Sequence, residues 1–165
     1  MTSRFRPVFG LGAAALAVGA LLRVALWREF GLLQGVGLGE LPSIMLRGLA
    51  NDAVVTLYGL SPLVLYLALV TERWLQTRPH RLLLMGGSWL TLFAMVYLAV
   101  VERYFFQEFD ARFNLVAFDY LAYPTEVAGD IWTEYPVVWI AICAGVAATL
   151  GLACLRRWLP RRKGP

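Results

Sequence analysis

Residues 82–101 read LLLMGGSWLTLFAMVYLAVV, twenty positions without an Asp, Glu, Lys or Arg. At ~1.5 Å of rise per residue, a helix of that length covers ~30 Å, the thickness of a bilayer's hydrocarbon core. Two more windows share the property: 53–71 (AVVTLYGLSPLVLYLALVT) and 136–155 (PVVWIAICAGVAATLGLACL). A fourth, 7–27 (PVFGLGAAALAVGALLRVALW), carries one charge, Arg23, near its far end. The expected fold is all-α: a polytopic membrane protein with transmembrane helices at about 7–27, 53–71, 82–101 and 136–155, forming one domain over 1–165. Composition agrees. The chain is 59% hydrophobic and 16% charged with a mean hydropathy of +0.64, whereas soluble domains are roughly 25% charged.

The first apolar run follows Arg4 and Arg6, as a signal peptide would. Signal cores are shorter, roughly 7–15 residues, and end at a small-residue cleavage site. This run continues to Trp27 and meets Arg28-Glu29, so an uncleaved helix is expected. Arg23 lies close enough to the helix end to snorkel toward headgroups. Pro62 falls within the second helix and is expected to kink it. Cys143 and Cys154 share the fourth helix. Eleven residues of helix separate them by ~16 Å, too far for a disulfide, and they read as small core residues.

Positive charge sorts to one side of these helices. Arg4, Arg6, Arg73, Arg78, Arg81, Arg156, Arg157, Arg161, Arg162 and Lys163 make ten of the fifteen Lys and Arg residues. The positive-inside rule then places both termini in the cytoplasm of a multi-pass bacterial inner-membrane protein. The net charge of +4 becomes a topology signal with attraction to membrane lipids, and no motif suggests nucleic acid. His80, the one histidine, reads as a solvated residue of the cytoplasmic loop.

Residues 28–51 and 102–134 then face outward. The first, with glycines at 31, 35, 37, 39 and 48, reads as a loop with a short interfacial helix from Pro42-Ser43. The second holds seven of the eleven carboxylates and nine of the twenty-two aromatic residues. Within it Phe105, Phe106, Phe109, Phe113, Val116, Ala117 and Tyr120 share one helical sector, predicting an extracytoplasmic amphipathic helix between helices three and four. Glu108 and Arg112 form an i,i+4 pair on its wet side. Glu102 falls in the apolar sector and needs a partner, with Arg103 or Arg23 as candidates. Tyr123-Pro124 ends the helix, and Thr125 caps a short turn containing Glu126 before Gly129. Trp132 and Tyr135 suit the interface. Asp119, Glu126 and Asp130 offer hard oxygens for Mg²⁺ or Ca²⁺, although their spacing matches no known calcium loop and solvating carboxylates explain them as well. No nucleophile–base pair, Cys/His cluster or phosphate-cradling glycine loop is visible, so no catalytic, cofactor-binding or metal residue is assigned.

The run Glu102, Phe105-Phe106, Phe109, Arg112-Phe113-Asn114, Asp119-Tyr120-Leu121, Tyr123, Thr125-Glu126-Val127, Gly129, Ile131 and Tyr135-Pro136 resembles a segment of bacterial lipoteichoic acid synthase-like proteins. These are sulfatase-like phosphoglycerol and phosphoethanolamine transferases of the alkaline phosphatase superfamily. Phe118, Asp130 and Glu134 depart from the pattern, where the family has Val, Asn and Ser. Arg47 through Asp52, before helix two, also fits the family's layout.

The resemblance implies five membrane helices followed by an extracytoplasmic catalytic domain with a threonine nucleophile and a divalent metal, commonly Mn²⁺. This chain has four helices and a basic tail, so no cofactor and no catalytic residue carry over. The expectation is a membrane domain that anchors such a catalytic domain, separate or missing here. Arg112, Asn114, Asp119, Tyr120 and Glu126 are the candidate lipid- or domain-facing surface, where a phospholipid donor such as phosphatidylglycerol would enter. Two other readings remain: a stand-alone inner-membrane scaffold that docks partners through the insert, and a small lipid-acting enzyme that uses the insert carboxylates.

Overall fold

A computed structural model describes residues 4–112 and 124–156. Helix α1 (Arg6–Leu26) continues into a π-helical turn at Trp27–Gly31. It is followed by α2 (Leu41–Leu69), the one-turn α3 (Glu72–Leu75), α4 (Arg78–Phe109), α5 (Pro124–Glu134) and α6 (Val137–Leu155). Among the described residues there is no strand, and four helices are long and apolar enough to cross a membrane. In hydrocarbon every backbone donor and acceptor must be satisfied internally, so an uncharged run of this length has helix as its low-energy form.

The helix boundaries follow local chemistry. Pro7, Pro42 and Pro79 each sit in a first turn, where the missing N–H has no intrahelical partner to lose. The Thr77 hydroxyl accepts the backbone N–H of His80 at 3.4 Å and caps α4. That helix ends at Asp110, whose φ of 50° lies in the left-handed region, tolerated by Asp because its short side chain can bond locally. Two helices reach further than the uncharged windows implied. Helix α2 starts at Leu41, so 41–51 belongs to the span and is not a loop with a separate short helix. Helix α4 runs on to Phe109, taking the first eight residues of the insert with it. Helix α5 passes through Gly129, which the expected short turn stopped before.

One residue from each long helix meets at the centre: Leu11, Leu60, Leu92 and Ala148, all buried. Helix α1 lies between α2 and α4, and α4 in turn holds α6. Without hydrophobic pressure between helices in lipid, close approach depends on small residues. Ala144 and Ala148 are each about 1% exposed, and Leu92 fits over Gly151. Trp89 Nε1 donates to Thr149 Oγ1 across the α4–α6 seam at 3.0 Å. Thr149→Val should therefore cost about 0.6 kcal/mol, the average for such bonds in membrane bundles, read as a small fall in detergent melting temperature. No change on substitution would remove this bond from the account of the seam.

Large apolar side chains cover the outside, among them Leu46, Val55, Leu57, Leu82 and Trp139. Such a surface would be a liability in water and suits contact with lipid tails. Cys143 and Cys154 lie on that exposed surface and are free thiols, not core residues. His80 is the opposite case. It is 1% exposed rather than solvated, because α3 and the Thr77 cap fold the connection back over the bundle end. Its Nδ1 lies 2.8 Å from Tyr66 Oη, which accepts from Trp74 Nε1 at 3.0 Å.

Candidate binding face at the insert end

Of the described residues, 27–41, 110–112 and 124–135 lie at one end of the bundle, the insert end, and 4–6, 70–78 and 156 at the other, the tail end. Four acidic–basic or amide–acid pairings concentrate at the insert end. Arg23 of α1 bonds Asp52 of α2, Nη2 to Oδ2, at 2.5 Å. Arg103 of α4 is paired with Glu29 of the π turn, with Nε to Oε2 at 2.9 Å. Arg112 Nε donates to Glu102 Oε1 at 2.5 Å, and Gln34 Nε2 donates to Asp110 Oδ1 at 3.0 Å.

The Arg23–Asp52 pair sits deepest. The side chains are 7% and 15% exposed. Arg23 does not snorkel to the headgroups; it turns inward because a carboxylate waits at its own depth. Two glycines make room. A Cβ on Gly48 would lie 1.9 Å from Arg23 Nε, and one on Gly19 would lie 2.0 Å from Asp52 Oδ2. Gly19 is one turn before Arg23 and Gly48 one turn before Asp52. Each helix thus offers a bare patch of backbone to the other's charged side chain. The recurring glycine-x-x-x-charge spacing in two helices, with opposite charges, was the available signal. The uncharged-window criterion hid it by placing Asp52 outside the second span.

Glu102 finds its partner in Arg112, and neither Arg103 nor Arg23 serves it. The expected Glu108–Arg112 pair requires helix to continue past 112; the left-handed Asp110 ends it, and Arg112 folds back instead. The bond to Glu102 raises the Arg112 guanidinium above its ordinary pKa, with the Asp52 charge contributing, so Arg112 stays cationic at any physiological pH. It remains 43% exposed while Glu102 is 14% exposed. This presents a fixed cation at the bundle's edge.

Aromatic contacts brace the same end. Phe30 of the π turn packs on Phe106 with centroids 5.0 Å apart, and Tyr104 meets Tyr135 edge-on at 5.1 Å. Trp27 Nε1 donates to Val36 O at 3.1 Å and holds the 32–40 connection against the turn. Of the candidate surface, the structure places Arg112 in this array. Asn114, Asp119 and Tyr120 lie outside the described residues, as does the 113–120 half of the expected amphipathic helix. Glu126 falls in α5, whose Thr125 and Asp130 are exposed. Sequence reasoning gave Asp52 and Glu29 no pairing role and did not single out Gly19 or Gln34. Among the described residues no three His, Cys, Asp or Glu side chains converge; Asp119 of the candidate oxygen set lies outside them.

The class defined by these features is an all-α membrane protein with a charge-paired face at one end of four candidate spanning helices. No family model, curated protein or solved structure matches the chain.

Proposed function

We propose that the chain is the membrane-anchoring and substrate-presenting domain of a sulfatase-like transferase acting on phospholipid-derived head groups in cell-envelope synthesis. In this reading it lies in a bacterial inner membrane with both termini cytoplasmic. The insert end then faces outward, where lipid headgroups and a catalytic domain meet. The ordered insert residues that resemble the lipoteichoic acid synthase-like segment support the transferase assignment. The observation that carries the headgroup role is Arg112, which bonds Glu102 through Nε alone and keeps 43% of its side chain exposed. A guanidinium in that setting matches the planar, two-oxygen face of a phosphate.

Phosphatidylglycerol bearing a photoactivatable headgroup, in vesicles with the purified chain, tests the role. Labelling should fall on 102–134, and Arg112→Gln should lower it about tenfold, the value of one charge-assisted bond. Absence of labelling in 102–134, or labelling there that is insensitive to Arg112→Gln, would refute the headgroup role; labelling at the tail end as well would not. The coding sequence beyond Pro165 tests the transferase half. A fifth apolar span and a domain with threonine, histidine and aspartate metal-site residues would support it. A stop codon with no such gene beside it would favour a stand-alone scaffold that docks partners through the insert.

A further inference from the structure

At the tail end, α2 and α4 stand on either side of α1 and leave a cleft of about 280 Å³. Leu11 of α1, Gly59, Pro62 and Tyr66 of α2, and Gly87 and Ser88 of α4 line it. The two glycines put no side chain into this space, and a Cβ added at either would meet nothing within 4 Å. The Ser88 hydroxyl, on a residue 4% exposed, has no hydrogen-bond partner in the protein. Gly59, Pro62, Leu83 and Gly87 on its lining are exposed, so the cleft opens to the outside of the bundle, where lipid tails would meet its apolar walls.

Exposed arginines lie at the same end of the bundle as the cleft. Leu83 and Leu84 on its wall follow Arg81 by two and three residues. Arg73, Arg78 and Arg81 are exposed at that end, and Arg4 bonds the Val70 carbonyl beside Glu72. Tyr66, on the lining, is tied to His80 and Trp74 and forms a polar, aromatic rim of the kind that settles at headgroup level.

We propose that this cleft is a binding site for an anionic glycerophospholipid, one acyl chain running between α2 and α4 and the phosphate at the level of Arg78 and Arg81. The apolar walls take the chain, and the cations above them select a negative headgroup. The site is at the opposite end from Arg112 and does not depend on the transferase reading.

Native mass spectrometry of the purified full chain, offered equimolar phosphatidylglycerol and phosphatidylcholine with identical acyl chains, tests the proposal. One phosphatidylglycerol should be retained at least tenfold over phosphatidylcholine, as expected from about two arginines near the surface. Arg78→Gln with Arg81→Gln should abolish that preference. Gly87→Leu should fill the cleft and lower retention about tenfold. Gly86→Leu is the control: it also meets open space but does not line the cleft. Both variants replace glycine by a better helix former, so folding is preserved, and circular dichroism confirms it. Equal retention of the two lipids would overturn the proposal, as would unchanged retention in Gly87→Leu or an equal loss in Gly86→Leu. An equivalent of lipid removed by Arg112→Gln belongs to the insert end and leaves this site in place.

Discussion

Arg23→Leu should destabilise the bundle by about 3–5 kcal/mol, because it strands Asp52 as an uncompensated charge against the backbone of α1. Asp52→Leu should cost a similar amount by stranding Arg23, whose Nε and Nη1 already lack partners. The double variant should recover most of the loss, since two apolar side chains need no compensation in a lipid-bathed interface. Unfolding of the four proteins from mixed micelles completes a double-mutant cycle, and the coupling should be about 2 kcal/mol or more. Additive single losses would mean that the pair is two independent packing sites. The pairing in the structure would then be incidental to stability.

Gly19→Ala should be nearly as damaging, about 3 kcal/mol, although alanine is the better helix former by about 1 kcal/mol. The new methyl group would lie 2.0 Å from Asp52 Oδ2 and 2.8 Å from its Cγ. Aspartate is short, so the carboxylate clears the methyl only by leaving Arg23 or by parting α1 from α2. Gly48→Ala meets the longer arginine, with more torsions to adjust, and should cost less. Gly59→Ala supplies the contrast, because no atom lies within 4 Å of its added Cβ. That variant should be neutral or gain up to about 1 kcal/mol. Melting temperatures in one detergent rank the three. A Gly19→Ala protein as stable as Gly59→Ala would show that α1 and α2 do not pack through the charge pair.

Charge placement explains what sequence reading could and could not reach. Three uncharged windows and one with a single charge located all four long helices, since a run almost without ionisable groups has one economical form in hydrocarbon. The same criterion trimmed α2 to 53–71 and so removed Asp52 from the membrane. With Asp52 excluded, Arg23 had no partner in view and was expected to snorkel. A charge that two helices neutralise together looks prohibitive in either helix alone. His80 repeats the point at the other end: flanked by Pro79 and Arg81, it reads as solvated. Its burial depends on Tyr66, fourteen residues away, and on the turn made by α3.

The insert was half legible. Phe105, Phe106 and Phe109 do continue α4, the third of the long helices, as the apolar periodicity indicates. Asp110 then takes a left-handed conformation, held by Gln34 from another segment, and redirects Arg112 to Glu102. Periodicity cannot register such a break, because it assumes that every residue keeps helical dihedrals.

Sequence alone thus determined that the chain is helical, that four of its segments suit a bilayer, and that charge and aromatic residues gather in 102–134. Those properties follow from each residue's own free energy in lipid or water, which is local and additive. Tertiary structure decided which charges meet, which glycines admit them, which side chains are buried, and where a cleft is left open. These depend on the relative placement of helices, where one methyl group decides whether two charges meet.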